Sequence, residues 1–227
     1  RVLAIISELI PGEIEVVGDI VITLQAAFGR GPGVIVIAGT GSIAYGRNTE
    51  GQTARAGGWG FAISDEGSGH WIGRTLVAAA IRASDESDES DEGEGQSARV
   101  LESLMKSWHV ETREQLVPAA NATPPPDFSA LFPLALSLAD SGDLIAREVL
   151  TQAGAELAKL GGTVIRRLFP QSGSVPVAMS GGVFGSSALV RQVFYNNLRS
   201  THPAAVINPG VIEPVRGALE LARKGQS

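Results

Sequence analysis

Apolar positions along the chain change period several times, and each change marks an element. Residues 2–10 carry apolar side chains at helical spacing and stop at Pro11-Gly12, after which 14–17 is a short β-branched run ending at Gly18-Asp19. The pattern predicts helix, then strand. Helical spacing returns over 20–28 and ends in residues 29–33, three glycines and a proline among five, where a hinge between domains is expected. Val34, Ile35, Val36, Ile37 and Ala38 form an unbroken apolar run, the mark of a strand covered on both faces. Gly39-Thr40-Gly41-Ser42 turns the chain into a second strand over 43–47, so the pair reads as a hairpin. A third strand is expected over 53–56 and on toward Phe61, and a helix over 70–83.

Residues 84–97 are acidic, rich in Ser and Gly and almost without apolar side chains. Such a segment buries too little surface to offset the entropy of ordering, and an exposed loop is predicted. Helices follow over 98–107 and 113–119, where Thr112 and Gln115 have capping-box spacing. Residues 123–126 break the chain, and helical spacing resumes over 128–139 and 143–169, stopped by Pro170. The tail alternates: strand 175–179, glycine turn, helix 188–198, strand 205–207, helix 215–223. A hairpin and third strand followed by helix, strand, helix, strand, helix is the order of one ribonuclease-H-like α/β lobe. The expected division is 1–30, a remnant of a first lobe, and 31–227, a second lobe with a helical insertion at about 84–140.

Composition narrows the function classes. At 227 residues with 44% apolar side chains, the chain suffices for one large or two small domains with a real core. No apolar run approaches the roughly 20 residues that span a bilayer, and no charged-then-apolar leader opens the chain. Zero cysteines exclude disulfides, thiolate zinc sites and cysteine-held iron–sulfur clusters, and fit a cytoplasmic protein. A net charge of −6 opposes a phosphate-backbone footprint, so neither nucleic acid nor membrane is expected as a partner. An anionic ligand would be held locally, by backbone amides and a metal ion. The chain opens on Arg1 and enters at once what reads as the end of an α/β domain, so it is expected to be the later part of a longer protein.

Candidate chemistry gathers at glycine-rich turns. Gly39-Thr40-Gly41-Ser42 sits at a hairpin tip, where glycines let backbone N–H groups approach a phosphate and two hydroxyls lie beside them; an ordinary hairpin is the alternative. Gly57-Gly58-Trp59-Gly60 leaves a tryptophan exposed to stack on something flat, such as a sugar face. Asp65-Glu66 precedes a helix, either as ligand-binding groups or as an N-terminal cap. Asp19 and Gly181-Gly182 each follow a predicted strand at the carboxyl edge of the sheet, where α/β proteins expose functional groups, though a helix cap and a plain turn explain them equally. The three histidines lack metal spacing, and no Ser-His-Asp pattern or Walker-type loop is present.

In order, VIAGTGSIAYG (36–46), AGGWG (56–60), SDEGSGHWIG (64–73) and SGGVF (180–184) resemble the N-acetylglucosamine kinase family, grouped with BadF/BadG-type ATPases in the actin, hexokinase and heat-shock-chaperone superfamily. The resemblance implies transfer of the ATP γ-phosphate to the 6-hydroxyl of N-acetylglucosamine or a related amino sugar, with Mg²⁺ as cofactor. It makes Gly39, Thr40 and Gly41 the second phosphate loop, with Ser42 at the sugar, and Gly58, Trp59, Gly60 and Asp65 the sugar pocket. Gly181, Gly182 and Ser186 would hold the adenosine, and Asp19 would be the general base. No protein metal ligand is implied within the chain. Nothing before Asp19 resembles the family's first phosphate loop, so the chain by itself is expected to be inactive. An activator ATPase of the BadF type and a non-catalytic sugar sensor are the rival readings; dehydratase activators hold an iron–sulfur cluster through cysteines, which this chain lacks. A homodimer is the prior for such a protein.

Overall fold

The computed structural model describes residues 14, 16–86, 94–170 and 173–224. The helix expected over 2–10 lies outside them. In chain order the elements are α1 (Asp19–Phe28), β1 (Gly33–Ala38), β2 (Ser42–Arg47), β3 (Thr53–Gly57), α2 (Gly69–Glu86), α3 (Glu94–Trp108), α4 (Arg113–Ala120), a 3₁₀ turn (Phe128–Leu131), α5 (Phe132–Asp140), α6 (Leu144–Leu168), β4 (Val175–Ser180), α7 (Gly182–Ser186), α8 (Ala188–Thr201), β5 (Ala205–Ile212) and α9 (Pro214–Lys224).

The strands form one mixed sheet in the order β3-β2-β1-β4-β5. β1, β2 and β3 are mutually antiparallel, whereas β1–β4 and β4–β5 are parallel. This is the ribonuclease-H-like arrangement that the element order predicts. β1 is central, which explains its unbroken apolar run: Val34, Ile35 and Val36 are fully buried, each contributing about 1.5–3 kcal/mol. Val34, Val36 and Ala38 join the main core, beneath α6 and α8, with Leu157, Phe184 and Leu198. Ile35 turns to the other face and meets Leu24 of α1 and Ala178 of β4 in a much smaller cluster.

Four expectations change. Ile14, Val16 and Val17 join no strand, because no strand among the described residues lies beside them to pair their backbone. β3 stops at Gly57 rather than running toward Phe61, since Gly57 and Gly58 both take positive φ and turn the chain out of the sheet. The acidic segment is helical at both ends: α2 runs to Glu86 and α3 begins at Glu94. Arg113 supports the first of these ends, donating to Ser84 Oγ at 3.1 Å and Asp85 Oδ1 at 3.0 Å. β5 passes beyond Ile207 to Ile212, because Asn208-Pro209-Gly210 is accommodated as a bulge, with Val177 opposite Ile207 but Met179 opposite Val211.

The long helix α6 begins where its sequence predicts. Asp143 caps it, accepting from Ala146 N at 2.8 Å. The capping box at Thr112 and Gln115 forms as well. Among the described residues no single helix is long and apolar enough to cross a membrane.

Candidate active site

The topology brings the glycine turns to one edge. β1 and β4 run parallel with Ile37 beside Ser180, so the turns that follow them are neighbours. β2 starts and β3 ends at that same edge, with Ala38 opposite Ser42 and Ile43 opposite Gly57. Residues 39–41, 57–60 and 181–182 therefore converge at the carboxyl ends of the parallel strands, the usual ligand edge of an open α/β sheet.

Gly181 is the closest join. Its φ is +99°, and a Cβ built there would lie 2.3 Å from Ala38 O, so any larger residue would push the second turn off β1. A Cβ added at Gly39 or Gly182, by contrast, would meet nothing within 4 Å, leaving open ground beside both turns. Ser186 is exposed beyond them, and the next residue, Ser187, caps α8 by accepting from Val190 N at 3.2 Å. Thr40 is exposed at the hairpin tip.

The loop between β3 and α2 is bound to the same tip. Gly69 N donates to Gly39 O at 2.8 Å and His70 N to Thr40 O at 3.3 Å. Ser42 is buried and its hydroxyl donates to Glu66 O at 2.8 Å, so it also ties β2 to this loop. Asp65 is 7% exposed and holds a left-handed φ of +72°, which Asp tolerates better than most residues. Its carboxylate lies against Gly41, where an added Cβ would be 2.8 Å from Oδ2. Burial raises the Asp65 pKa; backbone N–H groups of Gly60 and Ser42 oppose the rise, Glu66 adds to it, and His70 opposes it. One oxygen, Oδ1, is buried without a hydrogen-bond partner among the described residues. A buried acceptor without a donor is costly unless a ligand supplies one.

Trp59 is 61% exposed, as its glycine flanks suggest, but one face is covered. The Arg55 guanidinium stacks over its ring at 3.8 Å from the centroid. Gly58 brings the backbone down onto Ile43, and Gly60 presents its N–H to Asp65.

Asp19 approaches from the other face of the sheet. Phe28, at the end of α1, lies over the start of β1, its ring 2.7 Å from where a Gly33 Cβ would be. The helix therefore runs back along β1, and its Asp19 end points toward the edge that carries Gly39 and Gly181. Asp19 is exposed; among the described residues its Oδ1 accepts only from the neighbouring Ile20 N, at 2.8 Å. Among the described residues no cluster of three or more His, Cys, Asp or Glu could hold a metal ion.

The BadF/BadG/BcrA/BcrD ATPase family model matches residues 5–222. The chain belongs to this ATPase family. It is 32% identical over 212 residues to the N-acetylmuramic acid/N-acetylglucosamine kinase of Clostridium acetobutylicum, spanning 93% of this chain and 68% of that protein. It is 29% identical over 194 residues to the N-acetyl-D-glucosamine kinase of Dictyostelium discoideum, spanning 84% of this chain and 59% of that protein. Among solved structures it is similar to a protein of Chromobacterium violaceum proposed to be an N-acetylglucosamine kinase, with a TM-score of 0.68 and 28% identity over 96% of this chain and 70% of that one. The chain thus spans 59–70% of the length of these relatives.

Three residues of this family member escape a reading of its sequence. Arg55 and Trp59 meet only because the chain reverses at Gly57 and Gly58, and nothing in their spacing signals it. His70 looks like a helix-start residue; it is buried between the rings of Phe61 and Phe128, at centroid distances of 4.7 and 5.2 Å. Arg191 donates to Phe184 O, and to Gly185 O at 3.2 Å, thereby holding α7 and its glycine turn.

Proposed function

We propose that this chain supplies the sugar-binding wall and second phosphate loop of an ATP-dependent kinase that phosphorylates the 6-hydroxyl of N-acetylglucosamine or a closely related amino sugar. The observation that carries the reading is the buried oxygen of Asp65 without a partner among the described residues, set against Gly41 and near the Gly60 and Ser42 amides. A sugar hydroxyl is the donor it lacks. Gly39, Thr40 and Gly41 offer backbone to the transferred phosphate, Gly181, Gly182 and Ser186 to the nucleotide, and Gly58, Trp59, Gly60 and Ser42 border the sugar. Bound ATP provides the phosphoryl group, and Mg²⁺ accompanying it neutralises charge on the phosphates.

In this reading the Asp19 carboxylate takes the proton from the 6-hydroxyl as that oxygen attacks the γ-phosphorus, while the bond from the γ-phosphorus to the bridging oxygen of ADP breaks. Phosphoryl transfer asks little more of the protein than positioning and one base. The reading places 1–30 in a first lobe and 31–227 in a second, closing over the substrates in a cytoplasmic, homodimeric enzyme.

The test is ATP consumption by the full-length protein with a panel of hexosamines, wild type against Asp19→Asn. Consumption dependent on an amino sugar and lost in Asp19→Asn is expected. Consumption indifferent to every sugar would overturn the kinase reading, and full activity in Asp19→Asn would remove the base.

A further inference from the structure

A cavity of about 210 Å³ lies between α6 and the end of α8. It is at the opposite end of the sheet from the glycine turns. On the α6 side, Val164 packs over Gly46, its Cγ1 2.9 Å from where a Gly46 Cβ would be, and Gly46 pairs with Val34 at the start of β1. On the α8 side, the chain leaving His202 enters β5 at Ala205, opposite Val175 at the start of β4. The volume falls below the roughly 300 Å³ at which pockets for drug-sized molecules begin, so the cavity suits a compact ligand.

Its polar lining is cationic. Lys159 and Arg166 contribute from α6, two turns apart, and Asn197, Thr201 and His202 from α8 and its cap; among the described residues no carboxylate lines it. In a chain of net charge −6, cations gathered without acids point to an anion from outside the chain. Lys159 is partly balanced by Glu156, whose Oε1 is 2.6 Å from its Nζ. Arg166 takes part in none of the ion pairs among the described residues and donates to Thr163 Oγ1 at 3.0 Å.

Gly162 sets the imidazole beside the guanidinium: a Cβ added there would lie 2.6 Å from His202 Cε1 and 3.5 Å from Arg166 Nη1. The ring is held from behind. The Thr201 hydroxyl gives its proton to Asn197 O at 2.9 Å and takes the Nδ1–H of His202 at 2.9 Å, which leaves Nε2 as the nitrogen that can gain a proton. Burial, then the Arg166 charge, lowers the His202 pKa from its ordinary 6.5, so at pH 7 the ring is neutral beside a guanidinium without a counter-ion among the described residues.

We propose that this cavity binds a compact phosphate-bearing ligand, its oxygens held by the Arg166 guanidinium, the Lys159 ammonium and the His202 ring, with any carbons against Ala155 and Ala158. A planar fork, a point charge and a third ring donor converge on more oxygens than a carboxylate has, and suit a tetrahedral dianion. The phosphate is either a free ion or a small monoester. This site is separate from the phosphate loop of the proposed kinase and does not depend on that reading.

The test is NMR titration, at pH 7, of the full-length protein labelled in its histidine side chains. Inorganic phosphate, glycerol phosphate and sodium chloride are compared at matched ionic strength, and the His202 signal is the one absent from His202→Asn. Both phosphates are expected to shift that signal saturably, and chloride is not. Tighter binding of glycerol phosphate would sustain the proposal with an ester as ligand; tighter binding of inorganic phosphate would sustain it with the free ion. Arg166→Gln is expected to weaken the tighter of the two about tenfold or more, with Arg166→Lys recovering part of the loss, and Lys159→Gln to weaken it about two- to fivefold. The ATP Kd is expected to stay at its wild-type value in all three variants. No saturable shift in wild type, the same shift with chloride, or undiminished affinity in Arg166→Gln would overturn the proposal, as would a parallel loss of ATP affinity. The comparison of anions in wild type is independent of any variant's folding.

Discussion

The two carboxylates assigned to the ligand edge of the sheet in the proposed reading, Asp65 and Asp19, are held in opposite ways. Asp65 is buried, left-handed in φ, faced by two backbone N–H groups, and carried on a loop that rests against α6 and the main core. Asp19 is exposed in the first turn of a ten-residue helix, which reaches the sheet through the small cluster of Leu24, Ile35 and Ala178. Under the proposed function the difference suits two tasks. A group that binds a hydroxyl gains from being dry and fixed before the ligand arrives. A base in contact with water would have to be desolvated by closure of a second surface over it, which in the proposed reading would set its strength in the reaction.

Breaking the pair one member at a time should therefore give opposite signatures. Asp19→Asn is expected to lower kcat about 100- to 10,000-fold, the usual reach of a general base, with KM for the sugar and the melting temperature nearly unchanged. A large rise in KM instead would mean that Asp19 binds the ground state and that the contrast with Asp65 is false.

The anchoring of the Asp65 loop is exposed by Gly67→Ala. Gly67 has a φ of +78°, and an added Cβ would stand 2.6 Å from Leu157 Cγ and 2.7 Å from Ala153 O. A left-handed alanine pressed on a backbone carbonyl is expected to cost about 2–4 kcal/mol, read as a lower denaturant midpoint. An unchanged midpoint would show that the loop is not seated on α6.

Asp65→Asn separates binding from stability. Because burial raises the folded pKa above the ordinary 3.8, ionised Asp65 opposes folding, and that penalty grows as pH rises from about 3.8 through the raised pKa and is complete above it. Asparagine carries no such penalty. The variant is expected to melt above wild type at pH 7, with the difference shrinking toward pH 4, while sugar affinity falls about 10- to 100-fold from loss of a charge-assisted hydrogen bond. If the variant melts lower at pH 7, the N–H groups of Gly60 and Ser42 outweigh burial.

These contrasts also mark what one dimension can carry. β1 and its hairpin were legible because a five-residue apolar run bounded by glycines has few other readings, and the capping box at Thr112 and Gln115 because it is local. The bounds that failed depended on partners distant in sequence: Ser84 and Asp85 stay helical with help from Arg113, and β5 continues past Asn208-Pro209-Gly210 because β4 waits for Val211 and Ile212. The glycine motifs pointed to a ligand edge, but the burial of Asp65 and the unpartnered Oδ1 exist only once Gly41, Ser42 and Gly60 surround the carboxylate. Arg166 and His202 left no signal, because a cavity assembled from two helices, α6 and α8, has no single period.

The smallest expected effect concerns Trp59. Its ring is stacked on one face by Arg55, which under the proposed function leaves the other face for a sugar. Exposed cation–π pairs contribute about 0.5–1 kcal/mol, so Arg55→Gln is expected to raise the sugar Kd about two- to fivefold and to leave kcat and the ATP Kd unchanged. Arg55→Lys, a more strongly hydrated cation without the planar face, should fall between the two. Trp59→Ala is expected to exceed both. If Arg55→Gln instead tightens sugar binding, Arg55 competes with the sugar for the ring, and the exposed tryptophan is a gated surface rather than a prepared one.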